Sequence, residues 1–147
     1  MSSFGNLTFS GSGTKTLAAG TTNIAGNFIV SGSATANTST NTTTVTLNGS
    51  GINQSVAGVT FYNLTMNNAS GATFTGNATV NNTLTLTNGI IATSSNTLYI
   101  ASGGTVSRTS GHVNGNFEKY IAPAPPVGPG HTQQLGRKLQ LPPRQLD

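Results

Sequence analysis

Side chains that could perform acid–base or nucleophilic chemistry are scarce along this sequence. It contains two carboxylates (Glu118 and Asp147), two histidines (His112 and His131) and no cysteine. Glycoside hydrolysis needs paired carboxylates, and a Ser-His-Asp set would have to borrow the aspartate of the last position. A calcium site needs several oxygen ligands, usually with carboxylates among them. We therefore predict a protein that is not an enzyme and has no catalytic residue, metal site or cofactor.

Threonines in alternate positions form the most regular set of polar side chains. Two Thr-x-Thr series occur, at Thr42, Thr44 and Thr46 and at Thr83, Thr85 and Thr87. Flat ladders of this kind are typical of ice-binding β-solenoids. The other strands offer Thr8 alone, Ile29 or Tyr99 at the comparable outward place, which argues against a regular lattice match. We interpret the threonines as good strand formers, with Thr83, Thr85 and Thr87 kept as weak surface-binding candidates.

Two tyrosines are the aromatic candidates for carbohydrate binding. Tyr62 and Tyr99 both occupy positions predicted to point outward from strands. Neutral surfaces rich in hydroxyl and amide groups suit sugars, so glycans or environmental surfaces are the partners that we consider. A carbohydrate-binding or carbohydrate-active β-helix is therefore the first alternative function, and ice binding is the second.

The asparagines of Asn-x-Ser/Thr triplets have a structural interpretation as well as a chemical one. Asn6, Asn63, Asn68, Asn77 and Asn81 each begin such a triplet. In a eukaryotic secreted protein such asparagines could carry glycans. We instead predict that Asn6 and Asn63 occupy equivalent turn positions and hydrogen-bond the backbone of the adjacent repeat.

The net charge of +4 does not indicate a nucleic-acid partner, because the charges are not clustered on the predicted fold. From Met1 to Ser107 the one charged side chain is Lys15. The remaining basic residues are Arg108, Lys119, Arg137, Lys138 and Arg144. No apolar run approaches the ~18 residues of a membrane span. We predict neither nucleic-acid binding nor membrane insertion.

The elements that would position these side chains are short β-strands. Charged residues make up 5% of the chain, and strand-forming Thr and turn-forming Gly and Asn take their place. Pairs of apolar residues alternate with polar ones at Leu7/Phe9, Phe28/Val30, Val45/Leu47, Leu64/Met66, Leu84/Leu86 and Leu98/Ile100. No strand can bury its own apolar side, so neighbouring repeats must cover one another. The pattern predicts an all-β, right-handed parallel β-helix of about six coils, each of ~20 residues.

Internal similarity divides the chain further. Ser3–Phe9 recurs at Thr60–Met66, Asn23–Val30 at Thr79–Leu86, and Thr43–Gly51 at Asn96–Gly104. We predict a solenoid domain over residues 1–121, with two units of roughly 55 residues and a partial third. All six prolines lie from Pro123 to Pro143. Residues 122–147 are therefore predicted to be a proline-rich basic tail, either a linker or an artefact of the gene end.

The repeats resemble those of bacterial secreted surface proteins, namely Bacteroidetes-type and filamentous-haemagglutinin-like adhesins. The matching residues are Phe4, Asn6, Leu7 and Thr8; Phe61, Asn63, Leu64 and Thr65; and Val80, Asn82, Leu84 and Leu86. The resemblance implies a stalk or adhesion surface outside the cell. The first residues lack an export signal, so we expect a segment of a longer exported protein. We also expect end-to-end self-association through uncapped ends.

Overall fold

Fourteen strands make up the regular structure of the chain over residues 1–126 and 128, which are those that the computed structural model describes. In chain order they are β1 (Ser2–Phe4), β2 (Leu7–Phe9), β3 (Ser12–Thr16), β4 (Thr21–Ile24), β5 (Phe28–Val30), β6 (Ser33–Asn37), β7 (Thr44–Leu47), β8 (Gln54–Val56), β9 (Thr60–Asn67), β10 (Ala72–Phe74), β11 (Ala78–Asn88), β12 (Ile90–Ile100), β13 (Thr105–Arg108) and β14 (His112–Lys119).

The strands lie in three parallel stacks. Stack 1 contains β1, β4, β7, the end of β9, the middle of β11, and β13. Stack 2 contains β2, β5, β8, β10 and the first residues of β12 and β14. Stack 3 contains β3 and β6, then the first residues of β9 and β11 and the last of β12 and β14. Every pairing in the described residues is parallel, which confirms the predicted β-solenoid of about six coils.

The length of a coil can be read from the register of stack 1. Ser2 pairs with Thr22, which pairs with Val45, and Val45 pairs with Leu64. The series continues through Leu84 to Val106. Parallel pairing directs the interstrand hydrogen bonds along the axis, from one coil to the next. Each coil is thus held by the coil before it and the coil after it.

The core fills the space between the three stacks. The alternating apolar residues point inward, and Val45, Leu47, Leu64, Leu84, Leu98 and Ile100 have no exposed surface. A row of aromatic rings crosses the first four coils. Phe28 lies 5.6 Å from Phe9 and 6.4 Å from Phe61, and Phe61 lies 6.3 Å from Phe74, between ring centroids. The predicted narrow core of inward Leu, Ile, Val and Phe is confirmed.

Asparagines at the corners fasten successive coils together. The side-chain oxygen of Asn6 accepts the backbone N–H of Asn27 (2.7 Å), and that of Asn27 accepts the N–H of Ser55 (2.8 Å). Asn63 accepts the N–H of Thr83 in the same way (3.2 Å). Each bond satisfies a backbone donor at or next to a corner of the coil. The predicted bonding of Asn6 and Asn63 to the adjacent coil is confirmed, although the two residues occupy different corners.

Two coils approach each other closely at Gly58 and Gly76. A side-chain carbon added at Gly58 would overlap the backbone carbonyl group of Gly76. Glycine is therefore required at this corner by space, because any other residue would force two coils apart.

The internal similarity between the two halves of the sequence does not correspond to stacking. Phe4 lies in stack 1, whereas its sequence counterpart Phe61 lies in stack 3. Likewise Val45 belongs to stack 1 and its counterpart Leu98 to stack 3. The stacks have the same requirement, an inward apolar residue at every second place, so one motif can serve any of them. The structural repeat is the single coil.

The last strand, β14, ends at Lys119. Residues 120–126 continue without regular structure. Most of the predicted proline-rich tail, residues 129–147, lies outside the described residues, so its interpretation as linker or artefact stays a prediction.

Candidate functional site

Groups capable of acid–base chemistry are few and lie at one end of the solenoid. Among the described residues the carboxylate is that of Glu118, and the imidazole is that of His112. His112 pairs with Ile90 and Glu118 with Tyr99, so these groups stand at opposite ends of β14. No cluster of three or more metal-ligating side chains occurs in that part of the chain.

The outward side of stack 1 carries the most regular polar surface. We call it the threonine ladder, and it has one row through Thr21, Thr44, Asn63, Thr83 and Thr105 and a second row through Asn23, Thr46, Thr65, Thr85 and Ser107. Both rows keep register from the second coil to the sixth, without a bulge between the two residues of any coil. Of the weak surface candidates, Thr83 and Thr85 belong to the ladder, and Thr87 follows them at the end of stack 1.

This regularity corrects the expectation that the Thr-x-Thr pairs are irregular. Thr8 and Ile29, which suggested irregularity, lie in stack 2, and Tyr99 lies in stack 3. Alternation along the sequence does not show to which stack a strand belongs. Thr8, Ile29 and Tyr99 are outward residues of other sides of the solenoid and are not neighbours of the Thr-x-Thr pairs. Thr42, by contrast, does not belong to the ladder, because it lies with a φ of 52° in the connection before β7.

Hydrogen bonds along the axis orient the first row of the ladder. The Asn63 amide donates to the Thr44 hydroxyl at 3.1 Å. The hydroxyls of Thr83 and Thr105 lie 3.1 Å apart. The side-chain carbonyl of Asn63 accepts the amide of Asn82 at 2.8 Å. These bonds and the stiff χ1 angle of threonine hold the outward groups in fixed positions.

The two tyrosines do not share a site. Tyr62 lies at the corner between stacks 3 and 1, directly after Phe61, and Tyr99 lies on the outward side of stack 3. The register Thr60–Thr79–Tyr99 places them two coils apart, or about 10 Å along the axis. A shallow groove of about 260 Å³ opens elsewhere, beside stack 2, lined by Asn53, Ala69, Ser70, Gly71, Ile90, Ala92 and Asn114. Neither ring lines it.

Cations occupy inward positions of the terminal coils. Lys15 pairs with Ala36, Arg108 with the buried Leu86, and Lys119 with the buried Ile100. Each donates to a backbone carbonyl of its own coil: Lys15 to Ser12 at 2.9 Å, Arg108 to Gly111 at 2.7 Å and Lys119 to Gly104 at 3.0 Å. A charge at such a position hinders another apolar coil from stacking on the end.

A buried polar cluster around Gln54 and Asn68 was not predicted from the sequence. Gln54, with no exposed surface, donates to the carbonyls of Ile24 (2.8 Å) and Gly26 and accepts from the Gly49 N–H (3.0 Å). The buried Asn68 amide donates to Gln54 at 3.0 Å. Gln54 lies two residues before the inward Val56 in the same strand, so alternation places its side chain inward as well. A polar residue at a position predicted to be inward is the feature of the sequence that indicates this cluster.

Comparison with known proteins found no family model, curated protein or solved structure that matches the chain. Within the described residues there is no helix long and apolar enough to cross a membrane. The structure itself assigns the chain to the class of parallel β-solenoids.

Proposed function

We propose that the chain is a structural and adhesive segment of a bacterial extracellular surface protein. The observation that carries this proposal is the stacking of similar coils in register along one axis. Such a fold gains length by adding coils, without a new core for each addition. A stalk that holds other modules away from a cell surface needs this property, and the neutral outward side chains suit exposure to varied surfaces.

The motif resemblance to secreted bacterial adhesins supports the location that we propose, outside the cell as part of a longer exported protein. The described residues add chemical support for a role in spacing or binding. Their carboxylate and imidazole, Glu118 and His112, stand at opposite ends of β14 and out of hydrogen-bond reach of each other, so we propose no reaction. The alternative role is carbohydrate binding. Its candidate sites are the shallow groove beside stack 2 and the two separated tyrosines, Tyr62 and Tyr99.

Cell-surface display tests the spacing role. The full chain is placed between an outer-surface anchor and an epitope tag, and antibody access to the tag is measured. We expect access to exceed that of the same anchor and tag joined directly, because about six stacked coils at about 4.8 Å each hold the tag roughly 25–30 Å farther from the surface. Removal of residues 63–82, one coil by the register Asn63–Thr83, should shorten the rod by about 4.8 Å and reduce access. Equal access in the direct fusion and with the intact chain would contradict the proposal.

The terminal cations give a second prediction, which concerns end-to-end association. The double variant Arg108→Leu, Lys119→Leu is expected to associate more strongly than the natural sequence, because both charges occupy inward positions of the last coil. Sedimentation velocity over a range of concentrations measures this as a rise in average sedimentation coefficient. Glu118→Gln, at the outward position beside Lys119, is the control. An unchanged sedimentation coefficient in the double variant would show that these charges do not cap the end.

A further inference from the structure

We propose that the threonine ladder is an ice-binding surface. This inference goes beyond the spacing role and does not depend on it, since a rod without affinity for ice would still be a rod. The proposal rests on the composition, spacing and rigidity of one side of the solenoid.

The ladder is chemically uniform. Its ten positions hold seven threonines, two asparagines and one serine, with no charged or aromatic side chain among them. Ice presents no charge to a binding surface, so a cation or carboxylate there would have to be desolvated without a partner. Threonine combines a hydroxyl that can join a water lattice with a methyl group that is favourably removed from liquid water.

The ladder is also regular in two dimensions. Residues of one coil that share a side are about 6.6 Å apart, and equivalent residues of successive coils are about 4.8 Å apart. Hydrogen-bonded water oxygens lie about 2.7–2.8 Å apart, so a lattice of ordered water has repeats of a few ångströms and can bridge a grid of this spacing. Five coils in unbroken register extend the pattern over about 19 Å of the axis.

The positions of the side chains are largely fixed before any ligand arrives. The central members, such as Thr46, Thr65 and Thr85, are half-buried beside their neighbours. Asn63 and Thr83 are further held by the axial hydrogen bonds that join them to Thr44 and Thr105. Binding a rigid lattice then costs little side-chain entropy.

The arrangement favours ice over a crystalline polysaccharide. Sugar rings are commonly bound by stacking on aromatic faces, and no position of the ladder holds an aromatic side chain. Tyr62 precedes the ladder residue Asn63 at the corner, and Tyr99 lies on stack 3. The other two stacks also lack the pattern, because their outward rows include Ile29 and Ala92 in stack 2 and Tyr99 and Glu118 in stack 3.

Inhibition of ice recrystallisation by the full chain tests the proposal. We expect the natural sequence to slow crystal growth and to produce a measurable gap between melting and freezing points. Thr65→Lys, at the centre of the ladder, should raise the protein concentration needed for half-maximal inhibition of recrystallisation by roughly tenfold. This corresponds to about 1.4 kcal/mol. Thr79→Lys is the matched control and should change that concentration less than twofold. Thr65 and Thr79 lie in the same coil, are both half-buried, and form no side-chain hydrogen bond among the described residues.

Thermal unfolding of each variant verifies the fold, and Thr85→Lys replaces Thr65→Lys if the latter does not fold. Absence of any effect of the natural sequence on ice would overturn the proposal. Equal loss in Thr65→Lys and Thr79→Lys would overturn the assignment to stack 1. Sedimentation with microcrystalline cellulose or chitin, without activity on ice, would overturn it in favour of a polysaccharide surface. The display experiment is independent, because Thr65→Lys should leave antibody access unchanged.

Discussion

Replacement of Phe61 by alanine is expected to lower the free energy of unfolding by about 3–5 kcal/mol. The ring has no exposed surface and contacts two other rings, with centroid distances of 6.4 Å to Phe28 and 6.3 Å to Phe74. It therefore links the second coil to the fourth through the third. Its removal would leave a cavity that the surrounding coils cannot close, because each is fixed by its register to the next.

Urea unfolding followed by far-ultraviolet circular dichroism measures this loss, and Phe117→Ala is the matched control. Phe117 also points inward, pairing with the buried Leu98, but it lies in the last coil and is 40% exposed. Truncation there removes fewer contacts and opens no closed cavity, so we expect less than half of the loss for Phe61→Ala. Equal losses would mean that the terminal coil is as tightly packed as the middle of the solenoid.

Gln54→Leu is expected to cost about 3 kcal/mol although the two side chains are similar in size. The glutamine satisfies the Ile24 and Gly26 carbonyls and the Gly49 N–H, and it accepts from the Asn68 amide. Leucine would leave the Gly26 carbonyl and the Gly49 N–H without their hydrogen-bond partner in a buried corner. The Ile24 carbonyl would keep the Asn48 N–H, and the Asn68 amide would keep the carbonyls of Ile52 and Gly71. A buried polar group without a hydrogen bond is penalised by the whole cost of its desolvation.

The neighbouring change Ser55→Ala is the control for Gln54→Leu, measured by the same urea unfolding. Ser55 is half-buried on the outward side of β8, and we expect a change within about 0.5 kcal/mol. A double-mutant cycle of Gln54→Leu with Asn68→Ala should give a coupling of about 1 kcal/mol, because the two amides bond directly. A stability of Gln54→Leu equal to that of the natural sequence would show that the cluster contributes no net stability.

Alternation of apolar and polar residues was sufficient to predict the strands and their inward side chains. Val45 and Leu47, for example, are fully buried, as the pattern indicates. Short strands separated by tight turns cannot bury their apolar sides alone. Because neighbouring coils must therefore cover one another, the prediction of stacked parallel coils was correct. Alternation has a period of two, however, and is the same in every stack. It therefore carried no information on which strands share a side.

The sequence by itself thus determined the strand type, the core residues and the solenoid, because these depend on local periodicity and on the need to cover apolar surface. The tertiary structure alone decided which outward residues are neighbours. It aligned Thr44, Asn63 and Thr83 in one row and placed Tyr62 and Tyr99 apart. It also brought Gln54 to the carbonyls of Ile24 and Gly26, in the preceding coil. Corner lengths set these contacts by fixing the register of each coil on the last, and register is a property of the whole stack.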